Sequence, residues 1–455
     1  MAFSSLWLQI DGLIGSNGIL PLRDHLDQIA GTAEGNPFWD APTLFWWWPT
    51  DTALHVGCGL GCALSIALIA GFPIEGPVLL GLWALYLSLS HAGQVFLGFQ
   101  WDTLLLETLA VCTLIARWHP RSPREPSVLG MWVLRLLLFK LMLGSGLVKL
   151  TSGDPTWWDG TALSYHYWTQ PLPNPLSWWM HHAPMGWHKL ETWATLIIEI
   201  PLPFLIFAGR TGRVIAFIGF SLVLAMLFFT GNYGFFQILS MVLVFSLLDD
   251  GQLRWLQRRV LRPKPPEPPW IRDSRTVLIG SLAMVWVGLS LPMQYGRTWS
   301  YQDLDEAHLD AVRTIYPFRS INAYGLFANM TEDRPEIRIE GSDDGEHWEP
   351  YVFRYKPGPP ERRPPFIPGY MPRLDWQMWF AAMSSCGRSA WVQQLMARLQ
   401  DNEPAVLGLI ANNPFPEQGP RFIRAQLNLY PFTDSGPDWW RVSQAEQPYC
   451  RVVER

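Results

Sequence analysis

Six charged side chains lie within or at the ends of long apolar stretches of this 455-residue sequence: Asp102, Glu107, Arg135, Lys140, Lys149 and Glu199. A single charge at depth in a membrane costs at least about 2.5 kcal/mol, so these residues should pair with one another. Such pairs fix how helices pack, and buried opposite charges also shift pKa values enough to handle protons. The sequence leaves both roles open: a structural ion-pair network, or a proton-handling or catalytic centre.

Depth along the helices suggests which charges meet. At about 1.5 Å per helical residue, Lys140 and Glu199 lie at similar depths in consecutive apolar stretches. We therefore predict a pair between Lys140 and Glu199, and we expect Glu107 to reach Lys149 or Lys140. An acid and base centre, if present, would draw on Lys140, Lys149, Glu107 and His91.

A second group of candidates lies in YHYWTQPLPNPLSWWMHH, residues 165–182, which holds three Trp, three His and three Pro but no Lys, Arg, Asp or Glu. The prolines fix alternate φ angles and favour extended geometry, while indole rings favour the boundary between lipid and water. We predict a pre-ordered segment, called the aromatic ledge below, that either seals the helix ends or binds a partner. Its candidate contact residues are Tyr165, His166, Tyr167, Trp168, Gln170, Pro171, Asn174, Trp178 and Trp179.

Motifs for metals, cofactors and nucleic acids are not found. The histidines at 166, 181, 182 and 188 form no HExxH-like pair, and interfacial hydrogen bonding is their expected role. No nucleophile elbow or phosphate-binding loop occurs, so the sequence predicts no metal and no cofactor. A net charge of −5 and a pI near 6.1 exert no general attraction for nucleic acid.

Membrane-spanning helices must position these residues. Up to about Pro292 the sequence consists mostly of apolar blocks, whereas after Tyr295 it is charged and has no further long apolar run. With about 20 residues per crossing, we predict eight full spans, at 53–71, 77–98, 102–118, 127–150, 190–208, 213–230, 233–248 and 276–293. The stretch 1–14 is interpreted as the second half of a span whose beginning is missing, and Pro201 and Pro203 should interrupt the span 190–208.

The distribution of Lys and Arg predicts which side each loop faces, because these residues are retained on the cytoplasmic side. Twelve of them lie in the connections 117–126, 209–213 and 249–275, whereas only Arg23 and Lys189 lie in 15–52, 99–101, 151–189 and 231–234. The outer loop 151–189, which contains the aromatic ledge, and the region after 294 are therefore predicted to be non-cytoplasmic.

The region 294–455 is predicted to be a soluble, mainly β domain that follows the membrane domain 1–293. Residues 336–340 (EIRIE) alternate apolar and polar side chains, SDDG at 342–345 is typical of a hairpin turn, and residues 421–433 alternate again. We interpret these as an antiparallel β-sandwich, with amphipathic helices at 373–383 and 390–399. Cys386 and Cys450 could pair, although sequence does not supply the geometry. The predicted fold is thus an α-helical multi-pass bundle followed by a sandwich-like domain.

Several long motifs resemble the lipase maturation factor family: FLGFQWDTLLLET at 96–108, GDPTWWDGTALSYHYWTQPLPNPLSWWMHH at 153–182, TGNYGFF at 230–236, 322–358 and RLDWQMWFAA at 373–382. The resemblance covers nearly the whole chain. It implies a multi-pass membrane protein, resident in the endoplasmic reticulum in animals, that acts as a chaperone-like factor in the folding of secreted lipases. If the source is prokaryotic, the bacterial inner membrane replaces the endoplasmic reticulum.

The resemblance also implies partners. These are secreted client proteins and membrane lipids, with the outer loop and outer domain facing the client. Two alternatives remain open. One is an integral-membrane enzyme distantly like the vitamin K-dependent carboxylases, and the other is a transporter, which Pro201 and Pro203 favour.

Overall fold

A computed structural model describes residues 1–120, 126–249, 251–252, 276–443 and 447–455. The α-helices before residue 250 are α1 (Ala2–Trp7), α2 (Ile10–Ile14), α3 (Leu22–Thr32), α4 (Asp51–Ile69), α5 (Glu75–Ala92), α6 (Gln100–Ile115), α7 (Val128–Thr151), α8 (Pro155–Trp158), α9 (Ala162–Thr169), α10 (Pro175–His181), α11 (Met185–Glu199), α12 (Gly209–Thr230) and α13 (Phe236–Phe245). Those from residue 276 on are α14 (Thr276–Thr298), α15 (Glu306–Ile315), α16 (Arg373–Ala382), α17 (Ala390–Gln400) and α18 (Pro404–Leu407).

The N-terminal region is a helical membrane bundle, as predicted. Within the described ranges, five helices are long and apolar enough to cross a membrane: α4, α7, α11 with its continuation to Phe207, α12 and α14 from Val277. Helices occupy the other three predicted spans as well, but α5, α6 and α13 have only 18, 16 and 10 residues and do not meet the same requirement. The full count of eight crossings stays a prediction.

The predicted interruption near Pro201 and Pro203 is confirmed. Helix α11 ends at Glu199, and the chain continues as a 3₁₀ helix over Leu202–Phe207. Proline has no backbone N–H and its ring crowds the preceding turn, so the regular α-helical pattern stops there. The break leaves Glu199 in the last turn of α11.

Residues 1–14, interpreted above as half of a span, form the two short helices α1 and α2. Side chains of α1 and of the connection between α1 and α2 bind the chain after residue 294: Ser5 Oγ accepts the Met371 N–H at 2.8 Å, and Gln9 Nε2 donates to the Met371 carbonyl at 2.8 Å. Phe3, Leu6 and Ile10 are buried in the main core. This stretch therefore links the bundle to the C-terminal region.

The C-terminal region contains the predicted antiparallel pairing in two small sheets. Its strands are β1 (Pro335–Ser342), β2 (Glu349–Pro350), β3 (Val352–Phe353), β4 (Ile410–Asn412), β5 (Phe422–Leu429) and β6 (Gln447–Glu454). One sheet has the order β2-β1-β5-β6 and the other pairs β3 with β4. Ile337 and Ile339 are fully buried, as their alternation predicts. A sandwich of two facing sheets is not confirmed, since α16 and α17 pack against the larger sheet.

A disulfide joins Cys386, in the connection between α16 and α17, to Cys450 in β6. It links residues 64 positions apart and ties the edge strand of the four-stranded sheet to the helical layer. Both cysteines lie in the region predicted to face away from the cytoplasm. Disulfides persist mainly in oxidising compartments, so the bond agrees with that prediction.

The bundle and the C-terminal region share one hydrophobic core. The rings of Trp101 in α6 and Trp376 in α16 meet edge to face at 4.7 Å. All four connections predicted to lie on the non-cytoplasmic side contact residues after 294. The contacts are Gly18 with Arg398, Trp101 with Trp376, Trp168 with Arg334 and Asn232 with Pro365.

Candidate functional site

Glu107 of α6 is the centre of a buried polar cluster inside the bundle. Its carboxylate is fully buried, and Lys140 Nζ of α7 donates to Oε1 at 2.5 Å and to Ser290 Oγ of α14 at 3.1 Å. Further donors to Glu107 are the Trp286 indole at 2.9 Å, the Tyr324 hydroxyl at 2.5 Å and the Asn322 backbone N–H at 3.0 Å. The carboxylate is thus neutralised and hydrogen-bonded on both oxygens, which is what a buried charge requires.

Lys149 forms the second ion pair, with Glu199 of α11. The Lys149 Nζ to Glu199 Oε2 distance is 2.6 Å, and the ammonium also donates to the carbonyls of Ser145 at 3.1 Å and Leu326 at 3.2 Å. These bonds use all three ammonium protons. Leu326 belongs to the region after the last span, so this pair also fastens the C-terminal region to the bundle.

The predicted pair between Lys140 and Glu199 is wrong. Lys140 binds Glu107 instead, and Lys149 binds Glu199. Lys140 was one of the two lysines expected to reach Glu107. The two lysines are nine residues apart, which at about 100° per residue places them on opposite sides of α7. The prediction compared only the depths of Lys140 and Glu199 and did not consider the direction of each side chain around its helix axis.

Asp102 forms the third buried ion pair, with Arg373 at the start of α16. The guanidinium donates to both carboxylate oxygens, at 2.8 and 3.0 Å, and to the carbonyl of Phe96 at 2.7 Å. The Tyr86 hydroxyl donates to Asp102 Oδ1 at 2.5 Å. Both ions of the pair are fully buried. Nothing local in the sequence pointed to Arg373, because it lies in an amphipathic helix of the soluble region.

Arg135 and His91 stand apart from these pairs. Arg135 is half-buried, donates to the Ser246 carbonyl at 2.9 Å and lies 5.1 Å from the Trp132 ring. His91 Nε2 contacts the carbonyl of Pro317 at 2.7 Å. The acid and base centre considered from the sequence is therefore not assembled: its two lysines belong to separate ion pairs and its histidine to neither.

The aromatic ledge is folded as α9 and α10 and is partly buried. Of its nine candidate contact residues, five are buried: His166, Tyr167, Gln170, Pro171 and Asn174. Burial lowers the pKa of His166 to about 3, so the ring stays neutral. Asn174 caps the N-terminus of α10 by accepting the N–H groups of Leu176 and Ser177. These five side chains support the segment and do not form its surface.

Side chains of the C-terminal region donate hydrogen bonds to backbone carbonyls of the ledge. The guanidinium of Arg334 donates to the carbonyls of Trp168 and Pro171, each at 2.8 Å, and to that of Gln170. The Trp379 indole donates to the Thr169 carbonyl at 2.8 Å. The sequence analysis missed this clamp because its donors lie more than a hundred residues away.

The surface of the ledge is mainly aromatic, although Leu176 is also exposed. Trp179 is 64% exposed, whereas Tyr165, Trp168 and Trp178 are half-buried. The Trp178 ring meets Trp179 edge to face at 5.1 Å and Trp439 of the C-terminal region at 5.7 Å. The two regions thus build one continuous aromatic surface. Within the described ranges, no group of three or more His, Cys, Asp or Glu side chains is arranged to hold a metal ion.

The fold and these contacts define a multi-pass membrane protein whose C-terminal region is packed onto one end of its helical bundle. The chain belongs to the lipase maturation factor family. Residues 1–255 match the lipase maturation factor transmembrane domain, and residues 320–449 match the lipase maturation factor C-terminal domain.

Named relatives cover nearly the whole chain. Lipase maturation factor 2 of Homo sapiens is 35% identical in an alignment of 568 positions, gaps included, that covers 99% of this chain and 80% of that protein. Lipase maturation factor 1 of Homo sapiens is 32% identical, with 97% and 83% covered, and that of Bos taurus is 32% identical, with 100% and 86% covered. No solved structure matches.

Proposed function

We propose that this protein holds secreted client proteins at the aromatic ledge while they fold. Lipases are the proposed clients, since the relatives are named lipase maturation factors. Folding intermediates expose apolar surface that would otherwise aggregate, and indole rings cover such surface. Release follows when the client buries that surface in its own core.

The observation that carries this proposal is the rigid support of two indoles, the exposed Trp179 and the half-buried Trp178. Trp178 and Trp179 project from α10, whose N-terminus is capped by Asn174 and whose preceding residues are bound by Arg334. Side chains held on a rigid frame lose little conformational entropy on binding. A pre-ordered aromatic surface therefore suits repeated, reversible contact with clients of varied shape.

The compartment proposed for this activity is non-cytoplasmic. The basic connections 117–126, 209–213 and 249–275 favour it, and so does the disulfide between Cys386 and Cys450. By family this is the lumen of the endoplasmic reticulum, or the periplasm for a protein of the bacterial inner membrane. Secreted clients pass through both compartments.

The test is co-expression with a secreted lipase in cells that lack their own maturation factor. Replacing Trp178 and Trp179 by Ala should lower the active fraction of secreted lipase about five- to thirtyfold, because buried interface tryptophans are typically worth 1–2 kcal/mol or more. The abundance of the double variant, measured by immunoblot, should equal that of the wild type.

The matched control is Trp47→Ala. Trp47 is 72% exposed and lies on the same predicted side, but outside the ledge. Its loss should leave lipase activity unchanged. Normal lipase activity with the double ledge variant, or an equal loss with Trp47→Ala, would refute client binding at the ledge.

The contacts of the candidate catalytic residues give little support to the enzyme alternative. Lys140, Lys149 and Glu107 are buried and hydrogen-bonded within the protein, so none presents a free group to a substrate. Ion pairs of this kind stabilise helix packing. The transporter alternative keeps only the interruption after Glu199.

A further inference from the structure

A cavity lies between α7, α9, α11, α12 and α13 and leaves ≈ 70 Å³ for the centres of water-sized molecules. At about 10–15 Å³ per water this is room for roughly five to seven waters. Each water would need two to four polar partners. Most of the wall is apolar, including Leu141, Val223, Leu227 and Phe327. The cavity therefore suits an apolar occupant better than water.

The wall changes from polar to apolar along the bundle. At the end next to the aromatic ledge it carries Lys149, Glu199, His166 and Thr230, and at the other end Leu141 and Val223. Leu141 and Lys149 are eight residues apart on α7, a distance of about 12 Å along the helix axis. An occupant that matches this gradient has a polar head at the ledge and an apolar chain that runs inward.

Two buried donors border the cavity without a hydrogen-bond partner among the described residues. They are the Trp157 indole N–H and the Ser240 hydroxyl, on side chains that are 1% and 0% exposed. A buried donor without an acceptor costs about 1–3 kcal/mol. Trp157 stands at the polar end, where a carbonyl oxygen of an occupant would satisfy it.

The charges around the cavity favour a neutral head. Glu199 already neutralises Lys149, and all three ammonium protons are used. A second carboxylate beside Glu199 would meet a like charge without a free cation, which is unfavourable in a low dielectric. A carbonyl in an ester satisfies the indole without adding charge.

The cavity can be entered from the side of the bundle. Thr195 of α11 and Val223 and Met226 of α12 line it, and none of the three is fully buried, so this wall borders the outer face of the helices. In a membrane that face is covered by lipid chains. The occupant can therefore come from the surrounding bilayer.

From these features we propose that the cavity binds part of one acyl chain of a neutral ester lipid from the bilayer, with the ester carbonyl at Trp157, the first carbons of the chain between α7, α12 and α13, and the remainder of the chain in the bilayer. This is a binding site separate from the ledge. Its polar end borders the ledge at His166, and the site does not depend on the proposed handling of clients.

The test uses the full-length protein in nanodiscs of an ether-linked phosphocholine lipid, which lacks the ester carbonyl, with a phosphatidylcholine probe that carries a diazirine in its acyl chain. After illumination, mass spectrometry should find label on the interior residues Leu141 and Ser240. Because a site saturates, this interior labelling should level off at a low probe fraction, whereas label on the lipid-facing Leu222 should rise in proportion to the probe. A fatty-acid probe should label the interior about tenfold less, equivalent to ~1.4 kcal/mol.

Leu224→Phe fills the cavity from α12, because Leu224 lines it and is only 3% exposed. It should lower interior labelling about tenfold, again ~1.4 kcal/mol. The matched control is Leu222→Phe, at a residue that is 62% exposed on the same helix, and it should change nothing. Absent or unsaturable interior labelling in the wild type would refute the site, and that result needs no variant to fold. Equal labelling by the fatty acid would refute the preference for an ester.

Discussion

Two carboxylates on α6, Asp102 and Glu107, illustrate how single residues hold this protein together. Glu107 joins the bundle to Tyr324, and Asp102 joins it to Arg373. Removing one ion of such a pair leaves a buried charge without a partner, which typically costs about 3–5 kcal/mol. Removing one ion of either pair should therefore lower the free energy of unfolding of the whole protein.

A third carboxyl, Asp375, gives a prediction about pH. It is buried in α16, and its Oδ1 accepts the N–H groups of Tyr355 and Lys356, both at 2.8 Å. Burial raises the pKa of Asp375 to about 6 in the folded protein, above the ordinary 3.8. Because the folded pKa is the higher one, stability falls by up to about 3 kcal/mol as pH rises from about 4 to about 6.

Asp375→Asn should remove that pH dependence, since the amide oxygen can accept the same two N–H groups without ionising. We expect the variant to unfold at a higher temperature than the wild type at pH 7 and at a similar temperature at pH 4. The control is Asp434→Asn, at a carboxyl that is 89% exposed, with little effect at either pH. A difference between Asp375→Asn and the wild type that is the same at both pH values would contradict the prediction.

At the scale of elements, α7 organises the bundle by using two opposite faces. Lys140 faces α6 and α14, while Lys149 faces α11. Each face carries one lysine that fixes one interhelical contact. The rotation of α7 about its own axis is thus fixed by two ion pairs at different depths.

Double-mutant cycles test this rotation. Lys140→Met with Glu107→Gln should show a coupling of 0.5–3 kcal/mol in the free energy of unfolding in detergent, as expected for residues in contact. The cycle of Lys140→Met with Glu199→Gln should be additive to within about 0.5 kcal/mol, because these side chains do not share a contact. Coupling in the second cycle and additivity in the first would show that α7 is rotated relative to this structure.

Much of the element structure could be predicted from the sequence, and the failures have physical causes. Apolar length placed the spanning helices, and the alternation around Ile337 and Ile339 placed β1, because both signals are local. The partners of Lys140 and Lys149 depend on helix rotation, which a depth estimate omits. The burial of His166 and Gln170 depends on contacts with Tyr233, which is more than sixty residues away and carries no local signal of its role.

At the scale of the whole molecule, the C-terminal region covers one end of the bundle and contacts every connection predicted to lie on that side. At the other end of the bundle, described parts of the basic connections contact each other. Arg210, for example, binds Asp249 at 2.9 Å. The two ends of the bundle are therefore different in charge and in covering. This asymmetry agrees with the sidedness that the basic residues predict.

Reporter fusions test that sidedness. A reporter that is active only in the cytoplasm should be inactive when fused after Arg455, and an alkaline phosphatase, active only outside it, should be active there. Fusion of the same two reporters after Pro120, in the connection 117–126, should give the opposite pattern. An active cytoplasmic reporter at Arg455 would place the aromatic ledge in the cytoplasm and would remove the basis for contact with secreted clients.

The pair between Asp102 and Arg373 has a consequence for biosynthesis. Its members are 271 residues apart, so a ribosome that adds 5–20 residues per second needs roughly 14 to 54 seconds to reach the arginine after the aspartate. During that interval the Asp102 carboxylate of α6 lacks its cationic partner, Arg373. Helix α6 should therefore remain near water or the translocation machinery until α16 has been made, and it settles into the bundle as one of the last steps of assembly.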